Sequence, residues 1–450
     1  MSNQGAIRRS GEDRISSLPD HLLSQILSNL PTENAVTTSI LSTRWKDLWL
    51  STPVLDIDID AFDDATTFIS FATRFLDFSK DSCLHKLQIS FQMEDVDMWT
   101  IIPWIEDAVK RRIQHLEVDS RIDHMIDTLP LTVYLSESLV SLRLHLVMLH
   151  RFVFVSLPNL KVVHLEENLY SYADTMENFI SSCPVLEDLT VVRNVDEATE
   201  KVLRVRSQSL NSLKLIIDSS KCWYNDDSDD WKVIIDAPRL AYLSLKDDQS
   251  VSFVINNLCS SAKADIKVSF NVSDIWDLEE SFERSNVGKL LTGLSSVRDM
   301  TISGTTLKII CHYLKHEPMP QFRNMTRLHA KFYVCDLEML PCVLESCPNL
   351  KSLVLKLKGE MENEEISLSS SVPKCLQSSL ENVEIIRPNY GSGEEMKLSK
   401  YFLENSVVLK KFKLCRDCHS EEQESLVVRE LMTFQRCSSA CEINVVRFQR

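Results

Sequence analysis

The stretch SLPNLKVVHLEEN, residues 156–168, carries the pattern on which the fold turns: Leu160, Val163 and Leu165 fit L-x-x-L-x-L, with Pro158 ahead of them and Asn168 behind. In such a unit the last two aliphatic residues alternate on a strand and point to one side, while the first fills the turn before it. One copy decides nothing, since any short strand alternates. Here the pattern returns every roughly 20 to 30 residues, beginning at Leu84, Ile113, Leu139, Leu160, Leu186, Leu210, Leu240, Val297, Met325, Leu350, Leu380 and Leu409. Stacked units bury a continuous apolar column, which is the physical basis of a solenoid.

Flanking residues fit that reading. Pro158, Pro184, Pro238 and Pro348 introduce copies, where a residue with fixed φ and no N–H suits the approach to a strand. A short polar residue recurs after the strand, at Asn168, Asn194, Asp218 and Asp248, and can satisfy backbone groups at the bend. Amphipathic stretches at 174–183 and 336–347 read as short outer helices, and 224–230 (YNDDSDD) as a solvated loop. The expected fold is α/β: an irregular leucine-rich-repeat solenoid with parallel strands on the concave side and helices or loops on the convex side.

The segment from Asp13 to about Leu50 has a different texture. Leu22, Leu23, Ile26, Leu27 and Leu30 follow Leu18-Pro19-Asp20 at helical spacing, and Pro31 ends that helix. A second helix carries Ala35, Val36 and Ile40, and Ser42 or Thr43 can cap a third holding Trp45, Leu48 and Trp49. Three helices this short cannot close an independent core. Residues 1–12 are polar.

Composition narrows the function classes. Hydrophobic residues make up 44% and charged residues 25%, as in a folded protein. The net charge of -16 argues against a broad nucleic-acid or anionic-membrane footprint, because neutralising phosphates takes clustered Lys and Arg. It suits a basic target surface, or solubility alone. Thirteen scattered cysteines and an N-terminus without an apolar stretch predict reduced thiols in nucleus or cytoplasm. No run reaches the roughly 18 apolar residues that span a bilayer. Asn271-Val-Ser and Asn324-Met-Thr match the glycosylation pattern by chance on this reading.

Residues 13–49, DRISSLPDHLLSQILSNLPTENAVTTSILSTRWKDLW, resemble the F-box of plant F-box/LRR proteins in Leu18-Pro19, Ile26-Leu27, Leu30-Pro31 and Leu41-Ser42 ahead of Arg44-Trp45. Thr43 stands where that family often has Lys. The C-terminal part, from Val372-Pro373-Lys374-Cys375-Leu376 through Lys400–Asn405 to Cys437–Cys441, resembles the FBD domain of the same proteins. The boundaries expected are 13–52 for the F-box, 53–367 for the repeats and 368–450 for the FBD domain with a C-terminal cap.

The F-box resemblance implies docking on the Skp adaptor of an SCF-type ligase, and through it on cullin and RING subunits. The repeats would hold a protein destined for ubiquitylation. The chain would then be a receptor with no active site, its mechanism being the raised effective concentration of the held protein's lysines. Adaptor contacts are expected from Leu18, Pro19, Leu22, Leu23, Ile26, Leu27, Leu30, Pro31, Leu41 and Trp45; for Leu23 and Leu27, burial against the chain's own helices is an equal alternative. Contacts to the held protein are expected from strand residues that alternate with the inward ones: Arg143, His145, His164, Tyr242, Arg327, His329 and Lys331. A merely solvated sheet face is their alternative. The competing function is a repeat scaffold or sensor with a degenerate F-box.

Sharper motifs fail on detail. Cys415-x-x-Cys418-His419 has haem-attachment spacing but no export signal, and a zinc site would need further ligands, with Cys437 and Cys441 the candidates. Asp56, Asp58 and Asp60 start like a calcium loop, yet Ala61 and Thr67 stand where Gly and Glu are wanted. Phosphate-cradling, nucleophile-elbow and zincin motifs are missing from the sequence, so neither catalysis nor a cofactor is expected.

Overall fold

The computed structural model describes residues 15–447 except 16, 79–82, 93–95, 97, 122–128, 150–154, 171–173, 195–200, 219–230, 272–280, 360–367, 369–370, 388–392 and 417–420. The described residues fall into two compact units, one within Met1–Leu149 and Phe154–Leu160, the other within His150–Val153 and Lys161–Arg450. The division lies inside the stretch that reads in sequence as a single solenoid.

The first unit opens with helices α1 (Asp20–Leu27) and α2 (Thr32–Thr37), followed by 3-10 turns at Thr38–Ile40 and Leu48–Ser51. The third α-helix expected after Ser42 is instead a run of turns. Trp45 and Leu48 are both buried, and the Leu48 N–H reaches the Trp45 carbonyl, an i to i−3 bond. A three-residue repeat of inward side chains favours 3-10 geometry over an α-helix. Parallel strands β1 (Val54–Asp58), β2 (Lys86–Phe91), β3 (His115–Ser120) and β4 (Ser141–His145) come next, then the two-residue β5 (Met148–Leu149). Their register aligns Leu55, Leu87, Leu116 and Leu142 in one buried row, the column that the repeat predicts. Helices α3 (Ala65–Phe78), α4 (Met98–Lys110) and α5 (Leu131–Tyr134) complete the unit, and the rings of Phe68 and Trp104 meet at 5.9 Å between the first two.

In the second unit the strands are β6 (Val162–Glu166), β7 (Leu169–Tyr170), β8 (Asp188–Asn194), β9 (Val202–Arg206), β10 (Ser212–Asp218), β11 (Lys232–Asp236), β12 (Tyr242–Asp247), β13 (Ser252–Asn256), β14 (Lys263–Val268), β15 (Asp299–Ile302), β16 (Arg327–Tyr333), β17 (Ser352–Lys358), β18 (Asn382–Arg387), β19 (Lys411–Arg416) and β20 (Glu442–Arg447). One parallel sheet runs β6-β8-β10-β12-β14-β15-β16-β17-β18-β19-β20. Each copy of the sequence pattern becomes a strand of one of the two units, with its leading residue buried. The helices are α6 (Thr175–Ser181), α7 (Ser281–Gly293), α8 (Gly304–Leu314), α9 (Leu340–Glu345), α10 (Lys374–Ser378), α11 (Glu394–Asn405) and α12 (Glu421–Thr433).

One layer differs from expectation. Where helices or loops are expected between the repeat strands, β9, β11 and β13 form a second parallel sheet in the order β13-β11-β9. Leu203, Val205, Val233, Ile235, Phe253 and Ile255 alternate along these strands and are all buried. β-Branched residues at a period of two favour a strand where a helix would need a period near 3.6. The Phe253 ring meets Phe270, just past β14, edge-on at 5.5 Å.

The recurring prolines have a sharper role than strand approach. The N–H of Leu160, Leu186, Leu240 and Leu350 bonds back to the carbonyl of Leu157, Cys183, Ala237 and Cys347. Pro158, Pro184, Pro238 and Pro348 therefore occupy the second position of a β-turn, where their φ is pre-set. Asparagines stitch the turns together: Asn159 Nδ2 donates to Glu137 O at 2.7 Å within the first unit, and Asn349 Nδ2 to Arg323 O at 2.8 Å within the second. Asn324 Nδ2 donates to Ser296 O at 3.3 Å, so its place in Asn324-Met-Thr belongs to this ladder. Of the polar residues after strands, Asn168 is buried, while the side chains of Asn194 and Asp218 lie outside the described residues. At the β12 bend Asp247, one residue before Asp248, does the work: its Oδ1 accepts from the N–H of Gln249 at 2.9 Å and of Ser250 at 2.7 Å.

Candidate functional site

The helical hook has two apolar faces, and only one is covered. Leu23 and Leu27 of α1 pack with Ala35, Trp45 and Leu48 into a small core, and Leu18 and Trp49 lean against it. One position earlier on each turn, Leu22 and Ile26 face outward, with Leu30 beyond them. Ile40, 85% exposed, and Leu41, 65% exposed, add to the uncovered apolar surface, and Pro19 and Pro31 are exposed as well. A surface helix normally shows a polar outer face, so this concentration marks a contact surface.

That arrangement divides the expected contact set, taking the burial alternative for Leu23 and Leu27 and differing from expectation at Trp45. Leu23 and Leu27 are fully buried and Trp45 nearly so, which removes them from the exposed surface and makes them the floor that holds it. Helix periodicity could not separate them from Leu22 and Ile26, because both pairs have the i, i+4 spacing. Ile40 belongs to the exposed group, and its position in the second helix was legible without its orientation.

Polar contacts hold the hook in shape. Arg44 Nη2 pairs with Asp20 Oδ1 at 2.6 Å, and also donates to the Leu18 carbonyl. Asp20 is thus the first residue of α1, drawn toward a guanidinium, while Pro19 stands at the N-cap position. Toward the repeats, the Asp56 N–H donates to Thr32 Oγ1 at 2.8 Å, which satisfies one donor on the outer edge of β1. The Trp49 ring stacks on Phe71 at 6.2 Å and lies 5.9 Å from Phe75, both on α3. The hook completes its core against the first repeat.

The exposed sheet faces carry the second set of candidates. In the first unit Arg143 Nε lies 3.4 Å from Glu117 Oε1, and His145 Nδ1 is 2.6 Å from Asp119 Oδ1. The His145 hydrogen bond, helped by the charges of His145 and Arg121, pulls the Asp119 carboxyl below its ordinary range despite its burial. Arg121 also holds Asp58 and Asp60, so this acidic run is gathered around a guanidinium. In the second unit His164 Nε2 is 2.9 Å from Glu166 Oε2, and Tyr242 is exposed on β12. Arg327, His329 and Lys331 share one face of β16, with Arg327 Nη1 4.0 Å from Asp299 Oδ2. The candidates therefore belong to both units: Arg143 and His145 share β4 in the first, and Arg327, His329 and Lys331 share β16 in the second.

Among the described residues no group of three His, Cys, Asp or Glu side chains is placed to hold a metal ion. Cys418 and His419 lie outside the described residues; Cys415 Sγ donates to Glu384 Oε1 at 3.3 Å and Cys437 Sγ to the Glu404 carbonyl at 2.7 Å. No described helix is long and apolar enough to cross a membrane.

Comparison with known proteins agrees with this layout. The F-box domain family matches residues 15–56, the LRR repeats of FBD-associated F-box protein At5g56370 match 101–271, and the FBD family matches 368–414. None of these is an enzyme family. The chain is 97% identical over 450 residues to the F-box/FBD/LRR-repeat protein At5g22660 of Arabidopsis thaliana, with all of both chains covered. It is 69% identical over 450 residues to the F-box/FBD/LRR-repeat protein At5g22700 of the same plant, again with all of both chains covered. The putative F-box/FBD/LRR-repeat protein At5g22670, also of Arabidopsis thaliana, is 52% identical over 439 residues, with 97% of this chain and 98% of that one covered. With an F-box, leucine-rich repeats and an FBD domain in that order, and with relatives of this identity along its whole length, the chain belongs to the plant F-box/FBD/LRR-repeat family.

Proposed function

We propose that this protein is the receptor subunit of an SCF-type cullin–RING ubiquitin ligase. The observation that carries the reading is the uncovered apolar face of the hook, formed by Leu22, Ile26, Leu30, Ile40 and Leu41. Each side chain of this kind contributes roughly 1.5 to 3 kcal/mol when buried, so a handful offsets the cost of association and docks the hook on a Skp-type adaptor. The F-box family match supports the same partner class. Cullin and RING subunits follow through the adaptor, and the exposed sheet face receives a protein to be ubiquitylated. Because Thr32 and Trp49 tie the hook to the first repeat, docking there also orients the strands of the first unit. Binding geometry then supplies the rate advantage, and the covalent chemistry occurs on other subunits.

Support for the reading also comes from the paired hydrogen-bonding side chains on the sheet, which suit a protein surface better than a small molecule in a deep cavity. Nucleus and cytoplasm are the proposed locations, where reduced thiols and ubiquitin ligases coexist. The test is co-purification of the full chain with a plant Skp adaptor, compared with Ile26→Glu/Ile40→Glu. Retention of the adaptor by the wild type and its loss from the double variant is the expected result. Equal recovery by both, with both folded, would refute the docking surface.

A further inference from the structure

The neighbouring strands β16 and β17 bring together cations that, among the described residues, form no ion pair with a carboxylate. Their register sets Lys331 directly beside Lys356, and Tyr333 beside Lys358. Lys358 Nζ lies 5.4 Å from the centre of the Tyr333 ring, and Lys308 Nζ from α8 lies 5.9 Å from it. The start of α8 presses in: a Cβ on Gly304 would come within 3.1 Å of Tyr333 Cε2 and 3.6 Å of Lys331 Cδ. Two ammonium groups thus lie within 5.9 Å of one half-buried aromatic ring, with Lys331 and Lys356 paired beside it in the strand register.

Elsewhere along this sheet several cations have acid partners. Lys413 meets Glu384 at 2.9 Å, Lys267 meets Asp265 at 2.8 Å, and Lys410 meets Glu381 at 3.0 Å. Among the described residues, Lys331, Lys356 and Lys358 make no ion pair with a carboxylate, and the half-buried Asp336 is the acid that feels the charge of Lys308. Like charges directly opposite on neighbouring strands are destabilising. In a chain of net charge -16, an unneutralised cation cluster on the exposed face is out of keeping with its surroundings.

We propose that this cluster docks an acidic segment, rich in Asp or Glu, of the protein that the ligase receptor holds. Carboxylates of the segment meet Lys331, Lys356 and Lys358, and the Tyr333 ring packs against its aliphatic stems. The assignment rests on the receptor reading above and names the chemistry of what the receptor selects.

The full chain co-purified with its Skp adaptor should bind a fluorescein-labelled Glu-rich peptide, measured by anisotropy, and ignore the same peptide with Gln for Glu. Lys331→Glu/Lys356→Glu should weaken binding by about tenfold or more, while an unchanged thermal midpoint shows that the fold is intact. Added salt should weaken wild-type binding, as expected for exposed charges. Equal binding of the Glu and Gln peptides, no loss in the double variant, or tighter binding of a single-stranded RNA would overturn the proposal. So would peptide binding that emerges only after Glu360, Glu362, Glu364 and Glu365 are changed to Gln, since the chain's own acids would then be the occupant. Adaptor retention by Lys331→Glu/Lys356→Glu separates failure of this site from failure of the receptor reading.

Discussion

The hydroxyl of Thr32, on the second helix of the hook, accepts a hydrogen bond from the backbone N–H of Asp56, on the first strand of the repeats, at 2.8 Å. Through it the F-box and the first repeat become one folded body. Thr32 is buried, so the bond is shielded from water. Thr32→Val keeps the shape of the side chain but leaves the Asp56 N–H without that acceptor, at a cost of about 1 to 3 kcal/mol. Thr32→Ser is expected to restore most of it. Chemical denaturation of the two variants beside the wild type checks this, and identical midpoints for Thr32→Val and wild type would contradict the coupling.

The two apolar faces of α1 should separate experimentally. Leu23→Ala opens a cavity in the hook core and is expected to cost about 2 to 5 kcal/mol. Leu22→Ser, on the outer face, should leave stability within about 0.5 kcal/mol and weaken adaptor binding. Paired melting and pull-down measurements decide, and a stability loss from Leu22→Ser as large as that from Leu23→Ala would reject the two-face description.

In the FBD domain, Glu395 at the start of α11 is fully buried and meets Arg416 Nη1 of β19 at 3.2 Å, while the adjoining Glu394 lies 3.8 Å from the buried Arg387. Removing one partner of such a pair strands the other charge away from water. Glu395→Ala is therefore expected to cost about 3 to 5 kcal/mol, and Glu395→Leu with Arg416→Leu to recover a large part of it. Calorimetric unfolding of the single and double variants tests this; additive losses would show that the two groups are not coupled.

Asp247 and Asp119 should give opposite pH signatures. Burial pushes the Asp247 carboxyl up to about 6 from an ordinary 3.8, against the pull of its bonds from Gln249 and Ser250. The folded state then holds a proton that the unfolded state releases, so this contribution is present below about pH 4 and is lost as pH rises toward about 6, on the order of 2 to 3 kcal/mol. Asp247→Asn should flatten that slope. Asp119, lowered by its bond to His145, contributes stability above the ordinary carboxylate range that is lost as pH falls through its lowered value. Stability curves of Asp247→Asn and Asp119→Asn across the acid range are expected to diverge in these directions.

What was legible in the sequence is what a few neighbouring residues determine among themselves. L-x-x-L-x-L alternates locally, so each copy from Leu84 to Leu409 announces a strand and its buried side. β14 escaped because Ala262 and Ala264 occupy aliphatic positions with side chains too short to register, and β9, β11 and β13 because no leading leucine introduces them. The hook was legible as helices with more apolar residues than they could hide. Burial, however, depends on what lies opposite. Trp45 and Leu48 turn Leu23 and Leu27 inward and leave Leu22 and Ile26 bare, which spacing along one helix cannot reveal. Likewise Lys331 and Lys356 are 25 positions apart in the chain and side by side in the sheet. Register between strands is a long-range property, set by the packing of the whole column, and it alone places those two charges together.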